Sequence, residues 1–214
     1  FIRIMSELKE NGAIEIIQAV IHNFVRKKIV INIPTFSSYY EFVKDDIEVI
    51  YNKLEKEDKY HLNINKYVEF IKSNRPDTIV IINPNNPDGG YIEHNDIRKI
   101  LDNVKDVENV IIDESFIHFA YEDDSFNPIN TANLLSEYSN LIIIKSMSKD
   151  FGIAGIRAGY AIMSPDKIKT LLQNGYLWNS NGLSEYFFRL YARTDFANDY
   201  NQARVKYIQE TIEF

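Results

Sequence analysis

Apolar positions in this chain switch repeatedly between two periods, and the switches lay out an α/β protein. Ala13, Ile16, Ile17, Val20 and Phe24 recur at helical spacing after Asn11-Gly12, which predicts an amphipathic helix. Residues 29–33 form a short β-branched run stopped by Pro34, the pattern of a buried strand. The same reading predicts a helix over 37–43, a strand over 47–51, and a helix over 65–73 with Asn63 or Asn65 as its cap. A strand over 78–82 runs into an Asn/Pro/Gly loop, followed by a helix over 95–104 and a strand over 110–113. A short helix over 133–137, strands over 141–144 and 157–163, and a helix over 165–172 complete the alternation. From Leu183, Phe187, Leu190 and Tyr191 a single long helix is predicted to continue to Ile212. The strands are near-continuous apolar runs, as when both faces of a sheet are covered. Alternating strands and helices of this kind predict a mostly parallel sheet joined by right-handed crossovers.

Composition narrows the class. The 214 residues are 45% hydrophobic and 13% aromatic, enough for a sizeable core and contrary to disorder. A net charge of −7, with no long block of Lys or Arg, argues against a nucleic-acid partner. The absence of cysteine excludes a disulfide framework, a thiolate metal site and a thiol nucleophile. No apolar run approaches the ~20 residues of a membrane span, and Phe1-Ile2-Arg3-Ile4-Met5 lacks the apolar core of a signal peptide. No membrane partner and a cytoplasmic location are expected. The chain starts without Met and ends in a helical pattern, so it is expected to be a piece of a longer protein.

Three polar clusters fall at the carboxyl ends of predicted strands, where ligands bind in open α/β sheets. They are Asn83-Pro84-Asn85-Asn86-Pro87, Asp113-Glu114, and Ser146-Met147-Ser148-Lys149 with Arg157 shortly after. A lysine among small hydroxyl residues, with a guanidinium nearby, suits an amine nucleophile beside a phosphate cradle. Convergence of all three on one sheet edge argues for one site.

These motifs resemble those of the class I/II aminotransferase superfamily of fold-type I pyridoxal 5'-phosphate (PLP) enzymes. The nearest branch is that of histidinol-phosphate aminotransferase and threonine-phosphate decarboxylase. The matching signatures are Asn-Pro-Asn-Asn-Pro-x-Gly, Asp-Glu-x-aromatic, and Ser-x-Ser-Lys-x-x-Gly-x-x-Gly-x-Arg-x-Gly-Tyr. Spacings of 27 residues from Asn86 to Asp113 and 36 from Asp113 to Lys149 fit as well. The resemblance implies a three-layer αβα large domain over residues 1–182, with 183–214 a helix leading to a small domain that is largely missing.

It also implies roles. Lys149 would carry the cofactor as a Schiff base and then move the substrate Cα proton, from a buried, cationic neighbourhood that keeps it neutral. Asp113 would pair with the pyridine nitrogen and keep the ring an electron sink. Asn86 would donate to the phenolic O3′, on a loop stiffened by Pro84 and Pro87. Arg157, Ser146 and Ser148 would bind the cofactor phosphate, joined by the backbone of Gly12 and Ala13 at a helix N-terminus. Phe36 would stack on the ring, with Tyr39 as a second candidate. Glu114 should point away from the cofactor, and His118 is read as a bystander. Asn179 and Asn181 are candidates for the substrate side. No metal is implied.

The chain departs from the pattern at Phe116, where many relatives carry a tyrosine that also binds O3′. One hydrogen bond is thereby lost, roughly 0.5–1.5 kcal/mol net, and reaction type becomes less determined. The arginine that grips the substrate carboxylate would lie beyond Phe214, and Arg189 and Arg193 are poor substitutes. The main expectation is an aminotransferase that moves an amino group between an amino acid or amino-alcohol phosphate and a 2-oxo acid, as a homodimer. The alternatives are a decarboxylase of an amino acid or O-phospho-amino acid, and a ligand-sensing domain of a regulator.

Overall fold

A computed structural model of the chain describes residues 6–176 and 180–214. Its strands are β1 (Ser6–Asn11), β2 (Lys28–Ile33), β3 (Glu48–Lys53), β4 (Thr78–Ile82), β5 (Asn109–Asp113), β6 (Leu141–Ser146) and β7 (Ala158–Met163). They form one seven-stranded sheet in the order β1-β7-β6-β5-β4-β2-β3. Strands β2 to β6 pair in parallel, whereas β7 is antiparallel to both β6 and β1. The helices are α1 (Ala13–Phe24), α2 (Ser38–Glu41), α3 (Ile64–Asn74), α4 (His94–Asn103), α5 (Pro165–Gln173), α6 (Gly182–Tyr191) and α7 (Thr194–Glu213).

The period-2 pleat sorts the strand residues into two cores. Ile29, Ile31, Val80, Ile82, Ile111, Ile142 and Ile144 face α1 and α5. Val30, Ile79, Ile81, Val110, Ile112 and Ile143 face α3, α4 and the 3₁₀ segment Thr131–Ser136. Both faces are covered, so this is the three-layer αβα arrangement with a mostly parallel sheet. Helix α1 presents Ile16, Ile17, Val20 and Ile21 to the sheet with almost no exposure. Each such side chain contributes about 1.5–3 kcal/mol relative to leaving it in water. Asn63 caps α3, its side chain accepting from Lys66 N. Asp77 accepts the N–H groups of Arg26, Lys27 and Lys28 at 2.8, 3.1 and 2.6 Å, which ties the start of β2 to the start of β4.

The structure differs from the sequence expectation in three places. Strand β1 was not expected, because Ser6–Asn11 carries little apolar pattern and exists through pairing with β7. The predicted helix over 37–43 shrinks to the single turn of α2. The single long C-terminal helix is two helices, α6 and α7: Arg193 adopts an extended backbone (φ −82°, ψ 136°) between them, and its side chain pairs with Asp195 in the first turn of α7. No helix among the described residues is long and apolar enough to cross a membrane.

Candidate active site

A cavity of about 190 Å³ opens beyond the carboxyl ends of β4, β5 and β6. Ala13, Phe36, Asn86, Asp113, Ser146, Ser148, Lys149 and Arg157 line it, together with Ser115 and Phe116. Of the residues the resemblance assigned to the cofactor, Gly12 alone is not in this lining, and it sits directly behind Arg157; the second candidates Tyr39 and Asn181 are not in it either. Residues from five separate stretches of chain meet because parallel strands end side by side.

Asp113 ends β5 and is buried. Its Oδ2 accepts from the Tyr39 hydroxyl at 2.7 Å and its Oδ1 from Ser115 N at 2.8 Å. Burial pushes the carboxyl above its ordinary value, while the bonds from Ser115 and Tyr39 pull it back. Burial and the Asp113 charge hold the Tyr39 phenol well above its own ordinary value, so it remains a donor. Tyr39 is thus the clamp on Asp113 and not a stacking ring. Phe36, three residues earlier and 39% exposed, supplies the aromatic wall.

The loop after β4 is braced from within. Asn83 exchanges two hydrogen bonds with the Ile92 backbone, at 2.9 and 2.8 Å. Asn85 donates to Pro34 O at 3.0 Å and to Asp88, and accepts from Thr35 Oγ1 at 3.0 Å. Asn86 takes no part in this bracing, and its side chain faces the cavity.

At the other end, Ser146 Oγ accepts from Ser148 N at 3.2 Å, which leaves its own proton to point elsewhere. Ser115 Oγ accepts from Ser146 N at 3.1 Å and so joins the end of β6 to the loop after β5. Arg157 has a left-handed backbone (φ 59°) and donates to Ala154 O at 3.1 Å and to Asn11 O at 3.4 Å. Ser184 Oγ, at the start of α6, donates to the carbonyls of Ile156 and Arg157 at 2.9 and 2.8 Å. A Cβ on Gly159 would lie 2.5 Å from Ala13 N, and one on Gly12 would lie 2.6 Å from Arg157 Nη2. Glycine at both positions lets β7 and Arg157 close on the N-terminus of α1, where free N–H groups and the helix dipole favour an anion.

The donor set fits pyridoxal phosphate. The α1 N-terminus, two hydroxyls and a guanidinium could hold its phosphate, and the buried Asp113 its ring nitrogen. Lys149 lies at the cavity mouth with its Nζ 5.8 Å from the centroid of the Phe116 ring, and it is exposed rather than buried as expected. Glu114 is buried outside the cavity lining, as anticipated, and burial raises its carboxyl to about 7 against the opposing Thr131 bond and Lys145 charge.

Asn181 does not face the substrate side. It caps α6 by accepting from Ser184 N at 2.9 Å and donates to Asn11 and to Ile156 O. Asn179 lies outside the described residues. Arg189 and Arg193 are spent on exposed pairs with Glu185 and Asp195. Sequence reasoning missed Ser115 and Ser184, and it quoted Gly159 within the Arg-x-Gly-Tyr signature without giving it a role. Asn181-Gly182-Leu183-Ser184, an Asn followed at the third position by Ser before an aromatic run, was the one legible signal among them.

The chain matches the sequence model of the family described as aminotransferase class I and II over residues 10–214. It is 65% identical over 204 residues to an L-serine phosphate decarboxylase of Campylobacter jejuni, covering 95% of this chain and 52% of that protein. The solved structure of a decarboxylase from Sulfurospirillum multivorans superposes with a TM-score of 0.92 at 48% identity, covering 97% of this chain and 58% of that one. A histidinol-phosphate aminotransferase of Thermoanaerobacter sp. is 30% identical over 204 residues, 94% of this chain and 54% of that protein. The chain spans about half the length of the curated relatives it matches. These likenesses correct the expectation of an aminotransferase: relatives at 65% and 49% identity are named decarboxylases, whereas this aminotransferase is far more distant.

Proposed function

Because this chain belongs to the class I and II aminotransferase family, whose members depend on pyridoxal phosphate, we propose that it is the cofactor-binding part of a decarboxylase acting on an O-phosphorylated 2-amino acid, with L-serine phosphate as the substrate. The observation that carries this reading is the 65% identity, across 95% of the chain, to a protein of that name. The site is compatible with it. The residues that line the cavity are those that hold a cofactor, and a cofactor of this kind serves either reaction.

Bound pyridoxal phosphate supplies an electron-withdrawing ring conjugated to the substrate nitrogen, which lowers the cost of an electron pair on Cα. The protein's part is read from the residues that line the cavity. Asp113, clamped by Tyr39 and Ser115, would hold the proton on the ring nitrogen. Asn86 would donate to the ring's phenolic oxygen, and Phe36 would offer an aromatic face. Ser146, Ser148, Arg157 and the Gly12-Ala13 end of α1 would hold the cofactor phosphate. Lys149 would be the residue that holds the cofactor, and its Nζ would supply the proton that Cα takes up. In balance, the bond from Cα to the carboxylate breaks, carbon dioxide leaves, and Cα takes one proton, giving a phosphorylated primary amine. Phe116 gives the Lys149 side of the cavity an apolar wall. The working unit is a homodimer, as is common in this family.

The test uses the full-length protein with carboxyl-labelled O-phospho-L-serine. Labelled carbon dioxide should appear in step with the phosphorylated amine, and no amino group should reach an added 2-oxo acid. Amino transfer without loss of carbon dioxide would refute the reading. Borohydride should fix the cofactor to the unsubstituted protein and not to Lys149→Ala.

A further inference from the structure

Lys149 lies between two cavities. One is the cofactor cavity; the other, of about 600 Å³, lies between the Lys149 turn, the segment around His118 and α7. Lys149 lines both, and the next residue, Asp150, lines the second with its side chain only 1% exposed. Asp150 Oδ2 accepts from Lys145 Nζ at 3.2 Å and from the Tyr200 hydroxyl at 3.0 Å, and it pairs with His118 Nδ1. The Tyr200 hydroxyl also lies 2.9 Å from His118 Nδ1. One carboxylate thus joins β6, the 3₁₀ turn Ile117–Phe119 and α7.

The backbone around it is equally tied. Gly152 N donates to Lys149 O at 3.2 Å and closes the turn. Phe151 stacks on Tyr200 with ring centroids 4.2 Å apart and planes 22° apart. Arg204, one turn further along α7, is buried and donates to the carbonyls of His118, Ala120 and Phe126 at 2.7, 2.9 and 2.6 Å. Helix α7 therefore grips both the Lys149 turn and the segment that follows Phe116.

A buried carboxylate and ammonium cost more desolvation than their attraction returns, and apolar side chains would fill the same space with less penalty. What the charged cluster adds is direction, because three donors converging on Oδ2 admit one placement of the Asp150 backbone. We infer that Asp150 is a positioning residue for Lys149: anchored on Lys145, His118 and Tyr200, it fixes the turn from which Lys149 reaches the cofactor and couples that turn to α7. This rests on Lys149 being the residue that holds the cofactor.

The charged and titratable groups around Asp150 are Lys145 from β6, His118 from the 3₁₀ turn, and Tyr200 and Arg204 from α7. Asp113 and Glu114 of the β5 end act on the cluster through Lys145. Burial opposes charge on Asp150, but His118, Lys145 and Tyr200 outweigh it and hold the carboxyl below its ordinary value. It is therefore a negative charge on the residue next to Lys149 in the chain.

The experiment compares Asp150→Asn, Asp150→Glu and Tyr200→Phe with the unsubstituted full-length protein, each loaded with pyridoxal phosphate. The first measurement is the pH midpoint of the visible absorbance of the lysine-bound cofactor, taken without substrate. Loss of a neighbouring negative charge disfavours the protonated nitrogen, so Asp150→Asn should lower that midpoint by about half a unit or more. Its kcat should fall about tenfold with KM changed less than about twofold, because geometry and not substrate binding is lost. Tyr200→Phe, which removes one hydrogen bond, should lower kcat a few-fold, and Asp150→Glu should restore part of the midpoint. Folded Asp150→Asn and Tyr200→Phe proteins with the original midpoint and kcat would overturn the inference. Should Asp150→Asn fail to fold, Tyr200→Phe decides alone through its kcat. The midpoint is independent of substrate, so a shifted midpoint in a protein that does not decarboxylate O-phosphoserine would support the positioning role while refuting the proposed reaction.

Discussion

Replacing Tyr39 by Phe tests the electrostatics on which the site depends. The substitution keeps the ring in its fully buried place and removes only the hydroxyl that donates to Asp113 at 2.7 Å. A hydrogen bond to a charged group contributes about 1.5–3 kcal/mol, whereas one to a neutral partner contributes about 1 kcal/mol. The carboxyl, already raised by burial, should rise further, because the lost bond favoured its charged form more than its neutral one. Its folded value lies above its unfolded one, so its contribution to stability is intact below about pH 4 and is lost as pH rises through the folded value. In cofactor-free protein the variant should be less stable than the parent by about 1.5–3 kcal/mol near pH 8 and by about 1 kcal/mol near pH 4. Urea unfolding at the two pH values, followed by far-ultraviolet circular dichroism, measures both deficits. A deficit that is the same at both, or absent at both, would show that Tyr39 does not hold Asp113 in its charged form.

Two further substitutions probe the frame around the site. Gly159→Ala places a methyl 2.5 Å from Ala13 N, against backbone that cannot yield cheaply. It should cost about 1–3 kcal/mol and weaken cofactor binding, read as a lower thermal midpoint and a higher Kd for pyridoxal phosphate; unchanged values would refute the close approach of β7 to α1. Glu114 is raised to about 7 by burial, so its stabilising contribution is present below about pH 4.3 and is lost as pH rises through 7. Glu114→Gln should therefore flatten the decline in stability between about pH 5 and 8, a difference of up to about 3 kcal/mol, and an unaltered slope in a pH series of unfolding curves would contradict the burial argument.

Where reasoning from sequence succeeded, the signal was local. The helix spacing of Ala13, Ile16, Ile17, Val20 and Phe24 placed α1, and the uninterrupted apolar runs placed β4, β5 and β6, because a strand buried on both faces has no polar alternative. Asn86, Asp113, Ser146 and Lys149 were then located by being next to the ends of those strands. Failures came where the deciding contact was distant. Ser6–Asn11 is a strand because β7 offers it a partner, and β7 lies well over a hundred residues away. Tyr39 belongs with Asp113, 74 residues on, and nothing near position 39 distinguishes a clamp from a stacking ring. Asn181 looked available to a substrate until its amide was found committed to Ser184, Asn11 and Ile156.

The reaction type illustrates a different limit. The residues that the resemblance assigns to pyridoxal phosphate would serve transfer of an amino group and release of carbon dioxide alike, and Phe116 was the departure among them. Only likeness to whole proteins favoured decarboxylation.

Residue order and periodicity were enough for the layer arrangement and the strand ends, because hydrophobic period and strand-end position are properties of neighbours along the chain; the cofactor was implied by the resemblance of three motifs to a known family. The bonds to Asp113, the closure of Gly159 on α1 and the anchoring of Asp150 by Lys145, His118 and Tyr200 came from the packed molecule alone. Each joins groups that only a folded sheet brings within hydrogen-bond reach, and its strength depends on burial that no local stretch possesses.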